Sequence, residues 1–473
     1  MDESRFTNRD WYGQTTLHPL ALTVLVLAGL GMVLLPRRYA VVPMLIVACF
    51  VSPAQRIVIA SLDFNLLRMM VVFGWVRIFA RGEYFEIRWN AIDTLMIVWA
   101  VSGTVAYTAL RGDASALTFK LGTSFDALGM YFLFRCLIRG WEDADKVALA
   151  LVVISVPVAT AFLFEFATGT NLFSAFGGVP TRTVVRDGRL RCQGAFAHAI
   201  LAGCFWAAAV PLMAARWWRG RVGKASAIVG VGCGGLIIVA CASSTPVLGV
   251  LCGVLGAGMF LLRRRMRLVR WGVVTTLVLL AIAMKAPVWH LIARVNVVGG
   301  STGYHRYKLI DSAVNYFDEW WLFGTKSTAH WGWLMYDVTN QYILEGVRGG
   351  VLTMTLFIAT IALAFRRVGW LWRAAGTDRW RVAFAWALGV SLFVHCMSFV
   401  SISYFGQIIM LWYLSLALIA GMPMHAVRRR TTGRRAASDV AANRDDPYAA
   451  TATPARPRQA PLPAAPPATT AAA

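Results

Sequence analysis

The sequence predicts an all-α integral membrane protein with about 12–14 transmembrane helices, of which 13 is the favoured number. Of its 473 residues, 58% are hydrophobic and only 15% are charged, and the mean hydropathy is +0.60. A soluble chain of this length carries more charge and alternates more clearly between apolar and polar residues. Here apolar runs of about 17–25 residues recur, and each is long enough to cross a bilayer as a helix.

The predicted spans follow one another along most of the chain. The second is short, and the eighth and ninth are separated by only a few residues, so the number ranges from 12 to 14. The spans lie near 17–35, 39–52, 57–79, 91–109, 117–138, 147–167, 197–215, 226–242, 245–262, 270–286, 342–365, 382–400 and 404–421. A large extracytoplasmic loop is expected between the tenth and the eleventh.

Clusters of basic residues predict the orientation. Each lies just beyond an apolar run, as the positive-inside rule expects of cytoplasmic loops. The clusters begin at Arg37, Arg216, Arg263, Arg366 and Arg428. Placing them all in the cytoplasm puts the N-terminus outside, the C-terminus inside, and loops 168–196 and 287–341 on the extracytoplasmic face of a bacterial inner membrane. The net charge of +23 is thereby explained, and nucleic acid is not an expected partner.

Three regions follow from this topology. Residues 1–16 form a short extracytoplasmic N-terminus without the basic start, apolar middle and cleavage site of a signal peptide. Residues 17–425 form the transmembrane domain with its loops. Residues 426–473 form a basic, Pro- and Ala-rich cytoplasmic tail, which is expected to be disordered because it has little apolar bulk to bury.

The first candidate site is a basic segment in loop 168–196. Arg186, Arg189 and Arg191 concentrate positive charge on the predicted outer face, against the positive-inside rule. A phosphate or diphosphate at the membrane surface explains this, because a guanidinium group binds such oxygens bidentately. Gly194 is expected to let the backbone approach a ligand where the next helix starts. An ordinary loop that binds lipid headgroups is the alternative.

The second candidate site is the loop 287–341, where polar and aromatic residues are concentrated. His305 and Arg306 lie near its middle, and Asp337 and Asn340 lie near its end. Aromatic and charged side chains held against a membrane are what an enzyme needs to act on a polar group tethered to lipid. Helix capping and loop stabilisation are the alternative.

These two segments resemble a known family. The stretch with Arg191, Gly194, Phe196, His198 and Gly203 resembles the R-x-x-G-x-F-x-H-x(4)-G pattern of the O-antigen ligase and polymerase superfamily. Arg306 corresponds to an arginine near the start of that family's large periplasmic loop. The loop end resembles the pattern that re-enters the membrane, in Asn340-Gln341-Tyr342 and Glu345-Gly346-Val347-x-Gly349-Gly350. The likeness in topology covers roughly 39–421, and the motifs cover 191–211 and 303–350.

The resemblance implies an enzyme and its ligands. Arg191 and Arg306, with Arg189 beside them, would bind the diphosphate of an undecaprenyl-diphosphate-linked glycan donor and stabilise charge on the departing diphosphate. The acceptor would be a glycan or a lipid, and membrane lipids and a chain-length regulator would be further partners. The family works without a metal, and no cofactor is expected.

The catalytic base stays open among Asp337, His305, Glu345 and no dedicated base at all. Ligases of the family carry a histidine just before the asparagine of the loop-end motif, where this chain has Thr339. A polymerase of exopolysaccharide or O-antigen is therefore favoured over an O-antigen ligase acting on lipid A core. A flippase or transporter of lipid-linked glycans is the alternative from another class.

Two other polar groups have a structural explanation. Glu142, Asp143 and Asp145 match the DxD pattern of metal-dependent glycosyltransferases, but they lie at a predicted helix start, where acidic residues are favourable. In the third predicted span, Asp63 and Arg68 are expected to form a pair within the membrane.

Overall fold

Helices dominate the chain in a computed structural model, which describes residues 14–60, 62–84, 86–294 and 303–423. The predicted tail 426–473 and most of the predicted segment 1–16 lie outside these residues. The α-helices are α1 (Pro19–Leu34), α2 (Val42–Phe50), α3 (Leu66–Arg81), α4 (Ala91–Arg111), α5 (Ala114–Leu137), α6 (Trp141–Thr168), α7 (Ala199–Ala214), α8 (Gly220–Ala240), α9 (Ser244–Gly258), α10 (Met266–Ala283), α11 (Gly303–Asn315), α12 (Phe317–Trp320), α13 (Gln341–Ala374), α14 (Arg379–Phe399) and α15 (Gln407–Gly421). Short 3₁₀ segments are Arg37–Tyr39, Leu172–Phe176, Ala215–Trp218, Met259–Arg265, Val288–Arg294 and Ala329–Trp331.

Seven helical segments within the described ranges are long and apolar enough to cross a membrane. They are Ala91–Arg111, Trp141–Thr168, Ala199–Trp218, Gly220–Ala240, Ser244–Ala283, Gln341–Ala374 and Arg379–Phe399. The helices α1 and α15 are apolar but shorter. This architecture is compatible with the predicted all-α membrane class, whereas the favoured number of 13 spans stays a prediction.

The third predicted span is wrong in its first part. Residues 56–65 form an antiparallel hairpin of β1 (Arg56–Ile59) and β2 (Leu62–Asn65), and the helix begins only at Leu66. The Asn65 side chain caps α3 by accepting a hydrogen bond from the backbone N–H of Arg68 at 2.9 Å. The expected pair also differs, because Asp63 forms an ion pair with Arg56 in the hairpin. Arg68 instead binds Asp126 of α5 at 2.6 Å.

One end of the bundle is held together by ion pairs between basic clusters and the first turns of α6. Arg37 binds Asp143 at 2.7 Å, and Arg219 binds Glu142 at 2.5 Å. Arg216, which is buried, binds Asp145. The DxD-like acidic residues therefore neutralise arginines that follow neighbouring helices, in keeping with their structural explanation.

The other end of the bundle gathers the loops that carry the predicted site. Helix α6 separates the two ends by about 40 Å, since its 28 residues rise roughly 1.5 Å each. At this second end, the Gln407 side chain donates to the backbone oxygen of Ala195 at 2.7 Å, and the Asn340 side chain donates to that of Val400 at 3.2 Å. Residues 168–196 and 303–340 therefore share one end, which we call the loop end.

The long loop before α13 is folded and packed against that helix. Leu309, Ala313, Trp320 and Trp331 form a buried apolar cluster with Val347 of α13. This cluster fixes α11 and α12 on the first turns of α13, and so positions the loop residues that the sequence singled out.

Helix α13 is broken at Gly350, and the loop fills the break. Gly350 has φ 73° and ψ 178°, and a Cβ atom there would lie 2.0 Å from the backbone oxygen of Leu322. The N–H of Val351 donates to the oxygen of Trp321 at 2.8 Å, and the N–H of Thr325 donates to that of Val347 at 2.9 Å. Backbone groups freed by the break are thus satisfied by protein, as an apolar environment requires.

Candidate functional site

Arg191 lies at the end of a β-hairpin in the loop between α6 and α7. Strand β3 (Val184–Arg186) pairs with β4 (Arg189–Arg191) across a two-residue turn, Asp187-Gly188. Both turn residues have positive φ, 51° and 72°, as the turn that matches strand twist requires. Arg191 is only 7% exposed, whereas the side chains at 186 and 189 are exposed. The hairpin therefore brings one of the three predicted phosphate-binding arginines into the protein.

The segment after the hairpin is anchored by Glu165, which sequence reasoning missed. Its two carboxylate oxygens accept hydrogen bonds from the backbone N–H groups of Gln193 and Gly194, each at 3.1 Å. Gly194 has φ 57°, and a Cβ atom there would lie 2.3 Å from the ring of Phe162. The close approach that this glycine permits is to α6 rather than to a ligand. An acidic residue at the end of an apolar run was the only signal for this anchor.

His198 begins helix α7 as its N-cap. Its Nδ1 atom accepts a hydrogen bond from the backbone N–H of Ile200 at 3.2 Å. Burial lowers the pKa of His198 to about 4, and the charges of Arg191 and Arg186 add to the shift. The imidazole is therefore neutral at pH 7, and it orients the helix start.

Arg306 projects from α11 onto the start of α9. One Nη atom donates to the hydroxyl of Thr245 at 3.0 Å, while the buried Nε atom has no hydrogen-bond partner. In the described part of the chain, no carboxylate forms an ion pair with Arg306. Burial lowers the pKa of this guanidinium group, and the nearby Cys204 thiol offsets part of the shift. A cation held in this way has unused capacity to bind an anion.

The two arginines that are predicted to bind the diphosphate, Arg191 and Arg306, lie near the same turn between α8 and α9. Arg306 binds Thr245, in the first turn of α9. The backbone N–H of Cys192, next to Arg191, donates to the oxygen of Ala240 at the end of α8, at 3.1 Å. Burial raises the pKa of the Cys241 thiol, and the charge of the nearby Arg191 opposes that shift. The hairpin and α11 thus flank residues 240–245.

The two favoured base candidates influence each other electrostatically. Desolvation by surrounding protein raises the pKa of Asp337, although its side chain still reaches solvent, and His305 opposes the shift. Desolvation lowers the pKa of His305, the charge of Arg306 adds to that shift, and Asp337 opposes it. A carboxylate with a raised pKa beside an imidazole can accept a proton from a hydroxyl.

Glu345 lies in a different place from the other two base candidates. It is in the second turn of α13, where its carboxylate accepts from Trp99 Nε1 at 3.0 Å and from Gln341 Nε2 at 2.7 Å. Its surroundings form a cavity of about 140 Å³ between α4, α5 and α13. Sequence reasoning placed Glu345 at the loop-end motif but did not identify this cavity.

The remaining motif residues have structural contacts. Asn340 caps α13 by accepting from the backbone N–H of Ile343 at 3.1 Å. The hydroxyl of Tyr342 donates to the backbone oxygen of Cys396 on α14, at 3.1 Å. Both side chains therefore fasten the start of α13, as the capping alternative for this segment expects.

Across the residues that the structure describes, no group of three or more His, Cys, Asp or Glu side chains is arranged to hold a metal ion. Neither models of known protein families nor curated proteins give a significant match to this chain. The function of this chain is therefore inferred from the resemblance of its motifs and from the geometry of the loop end.

Proposed function

We propose that this protein is a membrane glycosyltransferase that polymerises undecaprenyl-diphosphate-linked oligosaccharides on the extracytoplasmic face of a bacterial inner membrane. Exopolysaccharide or O-antigen would be its product. The observation that carries the proposal is Arg306, a half-buried guanidinium group without an acidic partner among the described residues. It lies on the same turn that the Arg191 hairpin contacts.

The chemistry of the donor explains why two arginines are needed there. A glycosyl diphosphate leaves as an anion, and fixed cations at the leaving oxygens stabilise the charge that develops in the transition state. Guanidinium groups stay protonated even when partly buried and bind phosphate oxygens with a planar pair of donors. Arg191 and Arg306 would bind the diphosphate, and exposed Arg189 would extend the basic surface toward the headgroup region.

The distribution of charge supports the membrane orientation that this proposal requires. Basic clusters meet the acidic residues of α6 at the end of the bundle opposite the loops. Under the positive-inside rule that end faces the cytoplasm, so the loop end faces outward, where the lipid-linked donor is delivered. The acceptor hydroxyl would then lose its proton to Asp337, His305 or Glu345.

The direct test removes each arginine separately in the cell. Arg191→Ala and Arg306→Ala should abolish polymer and let undecaprenyl-linked repeat units accumulate on the outer leaflet. Lys308→Ala is the matched control on α11, because Lys308 is half-buried and weakly paired with Asp311 at 3.9 Å. Normal polymer in both arginine variants would refute the proposal.

A transporter of lipid-linked glycans is the second candidate, and the broken helix α13 favours it. Transport proteins use helices interrupted at glycine beside a polar cavity, and Gly350 and the cavity around Glu345 are arranged in this way. The two functions differ in where the intermediate collects. Accumulation of repeat units on the inner leaflet in the arginine variants would support the transporter.

A further inference from the structure

The cavity between α4, α5 and α13 is lined by a lysine, Lys120. Lys120 contacts the ring of Tyr107, with Nζ 5.2 Å from its centroid. Its ammonium group forms no hydrogen bond or ion pair with any described residue. Gly103 on α4 leaves space beside it, since a Cβ atom there would lie 3.7 Å from Nζ. Lys120 is half-buried, and a ligand in the cavity would supply polar partners for its ammonium group.

Glu345 faces Lys120 in this cavity without touching it. Both residues line the space, and the two charges act on each other electrostatically but form no ion pair. Each carboxylate oxygen of Glu345 already accepts one hydrogen bond, from Trp99 or Gln341, and keeps capacity for another. A group placed between the two charges must therefore accept a hydrogen bond from Lys120 and donate one to Glu345.

A hydroxyl group meets both requirements. A sugar hydroxyl carries one donor and two acceptor lone pairs. A phosphate or carboxylate would accept from Lys120, and the cation of Arg348 also lines the cavity, but Glu345 would repel it and receive no hydrogen bond from it. The contacts of Lys120 and Glu345 therefore favour a polyhydroxylated ligand.

The remaining walls of the cavity fit a sugar ring. Trp99, Phe357, Phe399 and Trp412 also line it, and Phe399 and Trp412 lie 5.0 Å apart, edge to face. Flat aromatic surfaces pack against the C–H faces of a pyranose, while a few polar groups fix its orientation. The volume of about 140 Å³ is similar to that of a cavity of roughly 150 Å³ that accommodates a benzene ring. A single six-membered ring fits this space.

We infer that this cavity binds one pyranose ring, with a hydroxyl between Lys120 and Glu345 and the ring against the aromatic side chains. Lys120 lies six residues into α5, and Glu345 lies four residues into α13. The cavity is therefore one to two helical turns from the loop end. The identification of this ring with the terminal sugar of the acceptor glycan rests on the proposed function. The binding of a sugar ring does not.

The test is saturation-transfer NMR on the full-length protein in lipid nanodiscs. The probes are free hexoses, N-acetylhexosamines and 6-deoxyhexoses, with inorganic phosphate as a separate sample. At least one monosaccharide should bind, and Lys120→Met should weaken its binding at least tenfold, with Lys120→Arg weakening it less. Lys146→Met is the matched control, because Lys146 also contacts a tyrosine ring, at 5.6 Å, but at the other end of the bundle.

Three results would overturn the inference: no monosaccharide binds, monosaccharide binding survives Lys120→Met unchanged, or only phosphate binds in a Lys120-dependent way. The Arg306→Ala variant separates this inference from the proposed function. Its sugar binding should equal that of the unmodified protein while its polymer is lost. If polymer persists in that variant but Lys120-dependent sugar binding is observed, the sugar site stands and the proposed function fails.

Discussion

The carboxylate of Glu165 accepts a hydrogen bond from the backbone N–H of Gly194 at 3.1 Å. Its other oxygen accepts from the N–H of Gln193 and from the hydroxyl of Thr183, both at 3.1 Å. Glu165 is fully buried at the end of α6. One side chain of α6 therefore ties together both ends of the hairpin loop that carries Arg191.

Removal of this anchor is the first prediction. Glu165→Ala leaves two buried N–H groups and a hydroxyl without their acceptor, so it should lower the free energy of unfolding by about 3 kcal/mol. The measurement is denaturant unfolding of the purified protein in detergent. Glu142→Ala is the matched control, because that side chain is 71% exposed in its ion pair with Arg219 and should change stability by less than about 1 kcal/mol. Equal losses in the two variants would contradict the assignment.

Two glycines of the same loop provide the second prediction. Gly194 and Gly188 both have positive φ, 57° and 72°, so a Cβ atom strains both backbones by about 1 kcal/mol. At Gly194 the added atom would also lie 2.3 Å from Phe162, whereas nothing lies within 4 Å at Gly188. Gly194→Ala should therefore destabilise the protein by several kcal/mol and Gly188→Ala by about 1 kcal/mol. Comparable unfolding midpoints for the two variants would show that the contact with Phe162 is unimportant.

Helix positions were predictable where the apolar runs were long and isolated. The runs near 147–167 and 382–400 became α6 and α14, because burial of a continuous apolar surface fixes a helix almost regardless of its neighbours. The run at 57–79 was misread because the β-branched residues 57–59 are as apolar as a membrane helix but form a strand. The ion pair of Asp63 with Arg56 depends on this hairpin, so it was missed together with the hairpin.

For the candidate site, the sequence indicates the charged residues but not their contacts. Arg191 and Arg306 stood out because they break the positive-inside rule, which is visible in sequence. The anchor Glu165 and the cavity lysine Lys120 gave little local signal, since the groups that they face are distant in the sequence. Asn340 was expected in the site, yet its side chain caps α13, because a helix start leaves N–H groups that a nearby amide satisfies.

The N-cap of α7 provides the third prediction, which concerns pH. The pKa of His198 is lowered to about 4 in the folded protein, against an ordinary value of 6.5. Since the unfolded chain takes up the proton first, the contribution of His198 to stability is complete above pH 6.5 and is lost as pH falls toward 4. The loss should reach about 3 kcal/mol.

His198→Asn is the variant that isolates this effect. Asparagine caps helices well but does not titrate in this range, so the variant should lose less stability than the unmodified protein between pH 6.5 and pH 4. Unfolding curves at half-unit pH steps measure the difference. If the stability of the two proteins falls equally between pH 6.5 and pH 4, His198 is not the source of the pH dependence.

The fourth prediction tests Asp337 as the base through the pH dependence of polymerisation. Because desolvation raises the pKa of Asp337, the rate should rise with pH through a value above the ordinary 3.8. Asp337→Asn should lower the rate about 100-fold or more and remove this rise. The positive charge of protonated His305 lowers the pKa of Asp337, so His305→Gln should move the rise to higher pH.

Rates are measured with lipid-linked repeat units in vesicles, and Asp311→Asn, on the same loop, serves as the control. If Asp337→Asn keeps full activity while Glu345→Gln loses it, the proton is accepted in the Lys120 cavity, and the acceptor sugar and its base share that site.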